Sequence, residues 1–262
     1  MPPPADLGPL LRDRVAVVTG GSRGIGAGIA SALVAAGAEV VISGRRADVL
    51  EATAAEIGAT SVVADAADRA AAGEPVRRAI ERFGGVDILV NNVGGVAGGH
   101  ADVFAGDPAE DDGFEANLRL NLTSAYWPTK AAVHSMRERG RGRVVNIGSG
   151  ASKHAAASPA YTAAKHGLVG LTKQLAVDLA PHAITVNCVC PGWTNTDLVN
   201  FDALAKAQGT TTDAARESAE AECAQRRILE PAELGPICVL LASDAGAPMT
   251  GQVIGVDGGY RL

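Results

Sequence analysis

Tyr161 and Lys165 stand four residues apart in Tyr161-Thr-Ala-Ala-Lys165. On a helix rising about 1.5 Å per residue they share one face, roughly 6 Å apart along the axis. A free tyrosine titrates near pH ~10, too high for a useful acid or base at neutrality. A neighbouring ammonium favours the phenolate and pulls that value down. Lowering it by about three units takes ~4 kcal/mol, within reach of one buried cation and a second positive group. Such a pair can exchange a proton with a carbonyl or hydroxyl oxygen. A Tyr-x-x-x-Lys also fits an ordinary solvated helix, so the rest of the chain has to decide.

A second candidate is Thr19-Gly20-Gly21-Ser22-Arg23-Gly24-Ile25-Gly26, which follows an apolar run and opens into a helical stretch. Gly20, Gly24 and Gly26 form G-x-x-x-G-x-G rather than the G-x-G-x-x-G of other dinucleotide folds. Its physical task is the same. Glycine lets a pyrophosphate approach the helix N-terminus, where free N–H groups and the dipole favour an anion. The four cysteines, at 188, 190, 223 and 238, lack C-x-x-C spacing and read as buried thiols, and the five histidines form no ligand constellation, so no metal is expected.

These residues need elements to hold them, and apolar strand candidates alternate with alanine-rich helical stretches throughout. Strands are expected over residues 14–19, 39–43, 60–64, 86–90, 142–147, 184–189 and 252–256. Helices are expected over 25–37, 47–57, 74–83, 114–139, 160–180 and 232–242. Strands without polar alternation, separated by helices, imply a parallel sheet covered on both faces. The expected fold is therefore α/β, a doubly wound parallel sheet with its ligand at the carboxyl ends of the strands. A proline-rich arm over residues 1–12 precedes one domain over 13–262. Two segments exceed what the fold requires, residues 94–113 and a polar, alanine-rich stretch over 194–227. Both follow strand ends on the ligand side and read as a pocket wall and a substrate lid.

The chain has 262 residues, 47% of them apolar but only 3% aromatic, so the core should be built from small, closely packed elements. A net charge of −6 without a basic run argues against nucleic acid and anionic membranes as partners. No apolar run approaches the ~18 residues of a membrane span. The first residues lack the basic and apolar regions of a signal peptide, so a cytoplasmic location is expected.

Taken in order, these motifs resemble the short-chain dehydrogenase/reductase family over nearly the whole chain. The marks are Thr19-Gly-x-x-x-Gly-Ile-Gly26, Asp65, Asn91-Asn92-Val93-Gly94, Asn121, Ser149, Tyr161-x-x-x-Lys165, Pro191-Gly192 and Val256-Asp-Gly-Gly259. The resemblance implies a Rossmann fold and a set of roles. Tyr161 would be the acid or base, and Lys165 would hold the nicotinamide ribose and depress the tyrosine. Ser149 would bond the substrate oxygen, with Ser152 and Ser158 as weaker rivals. Asn121 would break a helix and hold a water bridging to Lys165, with Asn117 one turn away as its rival. Gly20, Ser22, Arg23, Gly24, Ile25 and Gly26 would cradle the cofactor. Asp65 and Ala66 would flank its adenine, and Asn92 and Gly94 would run along its ribose. Pro191, Gly192, Thr194 and Thr196 would edge the nicotinamide, and Trp193 would face substrate or pack beneath the lid.

Cofactor preference is readable at the end of the second strand. Members using NAD place an acid there; here Gly44 is followed by Arg45 and Arg46. Guanidinium pairs with phosphate, so these two and Arg23, with no acid beside them, favour NADP(H). Ala163, Ala164, Gly167 and Gly170 let a neighbouring helix approach closely, and the resemblance implies a homo-oligomer, a dimer of dimers. The expected activity is NADP(H)-dependent reduction of a small-molecule ketone, of the 3-oxoacyl or polyketide ketoreductase kind, or the reverse oxidation. The alternatives are an NAD-linked alcohol or diol dehydrogenase and a nucleotide-sensing protein without turnover.

Overall fold

A computed structural model of the chain describes residues 9–97 and 113–262. Seven parallel strands form its centre: β1 (Val15–Thr19), β2 (Glu39–Gly44), β3 (Thr60–Val63), β4 (Ile88–Asn91), β5 (Gly142–Ile147), β6 (Ile184–Pro191) and β7 (Val253–Val256). Their order is β3-β2-β1-β4-β5-β6-β7. Every neighbouring pair is parallel. This is the doubly wound Rossmann sheet that unalternated strands imply, in a single domain.

Successive residues of a strand point to opposite faces, and both faces here are apolar. Ala16, Val18, Val40, Ile42, Ile88 and Val90 face one way. They meet Ile29 and Leu33 of α1 (Gly24–Ala35), Leu50 of α2 (Ala47–Ile57) and Leu241 of α9 (Gly235–Ala242). Val15, Val17, Val41, Leu89, Val144 and Val186 face the other way. Their partners include Val76 of α3 (Glu74–Phe83), Met136 of α5 (Ser124–Glu138) and Ala176 of α6 (Pro159–Leu179). A polar line crosses this second layer: Asn91 donates to Asn146 and Thr129, and Asn146 donates to Thr172. Cys188 and Cys190 are free, buried and directed to one side, with Sγ atoms 3.8 Å apart.

The elements depart from expectation in three places. The helix expected over 114–139 is interrupted: α4 (Phe114–Leu118) passes into a π-helical turn (Arg119–Thr123) before α5. The lid expected over 194–227 contains two helices, α7 (Phe201–Gln208) and α8 (Thr212–Ala221). The Asn200 side chain caps the first and the Thr211 side chain the second. Gly209, at φ +65°, turns the chain between them, a conformation that costs glycine little. At the N-terminus, Leu11 is fully buried and its amide bonds to Ala36, so packed structure begins within the stretch expected as an arm. Residues 98–112, most of the expected pocket-wall segment, lie outside the described residues. Among the described residues, no helix is long and apolar enough to cross a membrane.

Candidate active site

The carboxyl ends of β1, β4, β5 and β6 stand in register, Thr19 beside Asn91, Asn91 beside Asn146 and Ile147 beside Val189. The loops leaving these ends carry most of the predicted site residues. After β1 the glycine loop enters α1 with no side-chain cap and no acid in the first turn. Its N–H groups are thus left for an anion. A Cβ on Gly26 would collide with the Gly20 carbonyl and the Asn92 amide, so glycine is required there for close packing. Thr196 lies over the loop, its methyl 3.2 Å from where a Cβ of Gly24 would be. That arrangement fits a dinucleotide diphosphate held between Gly24–Gly26 and Thr196. Ser22 and Ile25 belong to the same turn, and the Ser22 carbonyl accepts from Thr53 at 2.9 Å.

α6 presents Tyr161 and Lys165 one turn apart on one face. Lys165 is only 3% exposed. Its Nζ donates to the Ile147 carbonyl at 3.0 Å and lies 5.8 Å from the centre of the Tyr161 ring. Ser149 is the first residue past the Gly148 turn. Its hydroxyl accepts from the Ala151 amide, which leaves its proton for a substrate oxygen. The rival serines are spent on structure: Ser152 accepts from the Ser149 amide, and Ser158 caps α6 by accepting from the Tyr161 amide.

Asn121 sits in the π-helical turn, the local break expected of it. Its side chain accepts from the Gly95 amide at 3.0 Å and donates to the Gly95 carbonyl at 2.8 Å. Asn117 clamps Ala97 in the same manner one turn earlier and also bonds Gly113. Only Asn121 adjoins the lysine. A Cβ on Gly94 would stand 3.0 Å from the Asn121 oxygen and 3.1 Å from Lys165 Nζ, so Gly94 keeps that passage open.

Several expected cofactor contacts are placed differently. Asn92 spends its amide on the Thr19 and Gly20 carbonyls, tying β4 to the glycine loop. Thr194 is buried and donates to the Gly192 carbonyl, and Gly192 itself packs against Asp257 beside the Pro191–Val256 pair. Arg23 does not join the other two arginines. It crosses the cleft to Asp197 at 2.7 Å. Arg45 lies 4.0 Å from Asp65, so an acid does stand beside the cationic pair. Adjacency of β2 and β3 brings it there. Arg46 is exposed and Ala66 buried.

Sequence reasoning left one cluster unseen. The Trp193 indole donates to Glu222 at 2.8 Å, and Arg261 grips the same carboxylate at 2.6 Å while also donating to the Ala155 carbonyl. This ties the loop after β6, the end of α8 and the segment before Tyr161 to the C-terminal residues. Lys153 pairs with Asp257 at 2.9 Å alongside. Burial alone would raise the Asp257 carboxyl, but Lys153 and the Gly259 amide outweigh it and hold it below its ordinary range. No local spacing advertises partners so far apart in the chain.

The short chain dehydrogenase family profile matches residues 14–206. The chain belongs to the short-chain dehydrogenase family. It is an oxidoreductase acting on hydroxyl or keto groups with a nicotinamide cofactor. A D-beta-hydroxybutyrate dehydrogenase of Cupriavidus necator is 36% identical over 260 residues, covering 96% of this chain and 99% of the relative. A Streptomyces virginiae protein, named as a candidate ketoacyl reductase of a monensin polyketide synthase, is 37% identical over 257 residues, covering 94% and 96%. The crystal structure of levodione reductase superimposes with a TM-score of 0.86 at 30% identity, covering 95% of this short-chain dehydrogenase and 98% of that chain.

Proposed function

We propose that the protein is an NADP(H)-dependent reductase of ketones of the 3-oxoacyl kind, working in the cytoplasm as a homo-oligomer. The observation that carries this reading is the buried Lys165, bonded to the Ile147 carbonyl two residues before Ser149 and lying 5.8 Å from the Tyr161 ring, at the same carboxyl ends of the strands as the uncapped glycine loop. A nicotinamide cofactor held there would supply or accept the hydride. Tyr161 protonates the oxygen on which negative charge develops, or removes the proton in the reverse direction. Ser149 donates a hydrogen bond to that oxygen and orients the carbonyl. Lys165, anchored to Ile147, places its ammonium beneath the phenol and would hold the ribose of the cofactor. Asn121 fixes Gly95 and keeps the wall of the lysine pocket in place.

Preference for NADP(H) is supported by Gly44, Arg45 and Arg46 at the end of β2, where Arg46 is exposed and Arg45 makes only a 4.0 Å contact with Asp65. Cytoplasmic location is supported by four free cysteines, the usual state of thiols in a reducing compartment. Oligomerisation is supported by a face of α6 on which Ala163 and Gly170 are exposed and Val177 is 71% exposed. Sedimentation equilibrium measures the assembly; a monomer at micromolar concentration removes that part of the proposal.

The deciding experiment follows NADPH and NADH consumption against β-ketoesters, acyl thioesters, cyclic ketones and steroids. Oxidation of NADPH with a 3-oxoacyl compound supports the assignment. NADH as the better donor favours the alcohol or diol dehydrogenase reading, and tight NADPH binding without turnover favours a sensor.

A further inference from the structure

Between the sheet and the pair of helices α5 and α6 the core is largely apolar, with Val144 and Val186 meeting Met136 and Ala176. Toward the carboxyl ends of the strands a polar row takes over: Thr129 on α5, Asn91 on β4, Asn146 on β5 and Thr172 on α6. Asn146 and Thr172 are fully buried, and Thr129 and Asn91 are nearly so. The Asn91 amide donates to Thr129 at 2.9 Å and to Asn146 at 2.8 Å, and the Asn146 amide donates to Thr172 at 2.9 Å. Each threonine hydroxyl in turn donates to its own helix, Thr129 to the Ala125 carbonyl and Thr172 to the Leu168 carbonyl. The row runs unbroken from one helix to the other through two adjacent strands.

Apolar side chains of similar size would fill this space with no polar group to satisfy, and any partner missing from the row leaves a buried amide or hydroxyl unpaired. What the hydrogen bonds add is a unique register. Apolar packing tolerates a helix at more than one height along a sheet, whereas a satisfied, directed bond admits one.

The row lies close in sequence to the site. Asn146 precedes Ile147, whose carbonyl receives Lys165, and stands three residues before Ser149. On α6, Thr172 follows Lys165 by seven residues and Tyr161 by eleven, so all three share one face. Resting on the reading that Ser149 and Tyr161 serve one substrate oxygen, we infer that Asn146 and Thr172 are positioning residues for the reaction. Their bond sets the height of α6 against β5, and with it the spacing of the Ser149 hydroxyl from Tyr161. Both are sealed from solvent and act only through the groups they place. A shift of α6 would keep Tyr161 and Lys165 together, since both ride on it, and would carry them away from Ser149. A misplacement of ~1 Å at a reacting centre can cost on the order of 10²-fold in rate.

The test is T172V, which keeps the shape of the side chain and removes its hydroxyl, beside T172S, which keeps the hydroxyl. Both are assayed with NADPH and the ketone that the wild type reduces best, and T172V is also combined with S149A and read at high enzyme concentration. The expected result for T172V is a kcat lower by about tenfold or more, with NADPH affinity within about threefold of wild type. T172S should return kcat to within about threefold of wild type. In S149A no hydroxyl is left to misplace, so adding T172V should lower kcat by less than about threefold. T172A removes the same bond in a good helix former and replaces T172V throughout if that variant does not fold. An undiminished kcat in the folded variant overturns the inference. A loss that T172S does not restore assigns the effect to packing and overturns it as well. The same fold loss with and without the Ser149 hydroxyl does so too, because Thr172 then does not act through Ser149. If the wild type reduces no ketone of the wider panel, the reductase reading falls and takes this inference with it.

Discussion

At the scale of single residues, the chemistry is concentrated in a phenol that must give up a proton and a lysine that must stay charged while buried. Tyr161→Phe removes the exchangeable proton and leaves the ring and its packing. Turnover should fall by roughly 10²- to 10⁴-fold while NADPH affinity, followed by fluorescence titration, stays nearly intact. Lys165→Ala should damage both, because the ammonium serves the phenol and the ribose together. Turnover that survives Tyr161→Phe would sink the assignment. A second prediction concerns Gly44. A Cβ there would lie 3.1 Å from the Ser22 hydroxyl, which can rotate away. Gly44→Asp puts a carboxylate where a 2′-phosphate would be repelled, so the NADPH-to-NADH ratio of kcat/KM should fall by about tenfold or more. An unchanged ratio would remove Arg45 and Arg46 from cofactor selection. These residues are legible in sequence because their partners are local: one helical turn, one glycine loop, one strand end. Arg23 and Asp197 are 174 positions apart and Glu222 and Arg261 are 39 apart, so only the fold reveals that they pair.

At the scale of elements, the departures from periodicity lie at the site. The π-helical turn over Arg119–Thr123 places one extra residue in a turn, so Asn121 leaves the regular helix stripe and reaches Gly95. The asparagine in an apolar stretch signalled a break, although its form could not be read from residue types. The helices of the lid are hard to read from residue types for a similar reason. Its helices are short, alanine-rich and mostly exposed, and weak amphipathic patterns resemble polar loops. The signals were nonetheless present in Asn200, Thr211 and Gly209, two N-caps and a C-terminal glycine. Asn200→Ala with Thr211→Ala should weaken each short helix by about 1 kcal/mol. Because neither residue supports the core, the melting temperature should barely change, while KM for the ketone rises more than KM for NADPH. Equal rises in both constants would mean that α7 and α8 wall the cofactor rather than the substrate.

At the scale of the whole molecule, the two ends of the sheet do different work. The carboxyl ends of the strands spend their polar groups on the candidate site, whereas the amino ends carry a buried staple. Apolar, unalternated strands made the fold class legible, but the staple that adds a side-chain link from the start of β1 to the turn before β5 is a single carboxylate that carries no sequence signature. Asp87, 2% exposed, accepts from the Val15 amide at 2.9 Å. It also receives Arg139 at 3.0 Å and Arg141 at 2.6 Å, from the turn that leads into β5. Burial alone would raise its pKa, and the hydrogen bonds from Arg139, Arg141 and Val15 outweigh that, leaving it below the ordinary carboxylate value. A carboxyl depressed in the folded state contributes stability that is fully present above its unfolded pKa, about 4. That contribution is lost as pH falls through the lower folded value. Asp87→Asn leaves two guanidinium groups facing a neutral amide and should cost about 3 kcal/mol near neutrality, or a melting temperature lower by on the order of 8 °C. The gap between wild type and variant should be constant from about pH 7 to pH 5 and narrow below about pH 4, where the wild-type carboxylate takes up its proton. Thermal unfolding across that range measures it. A gap that stays constant in acid would mean that Asp87 acts by shape and hydrogen bonding alone, and that its charge contributes nothing to holding the sheet together.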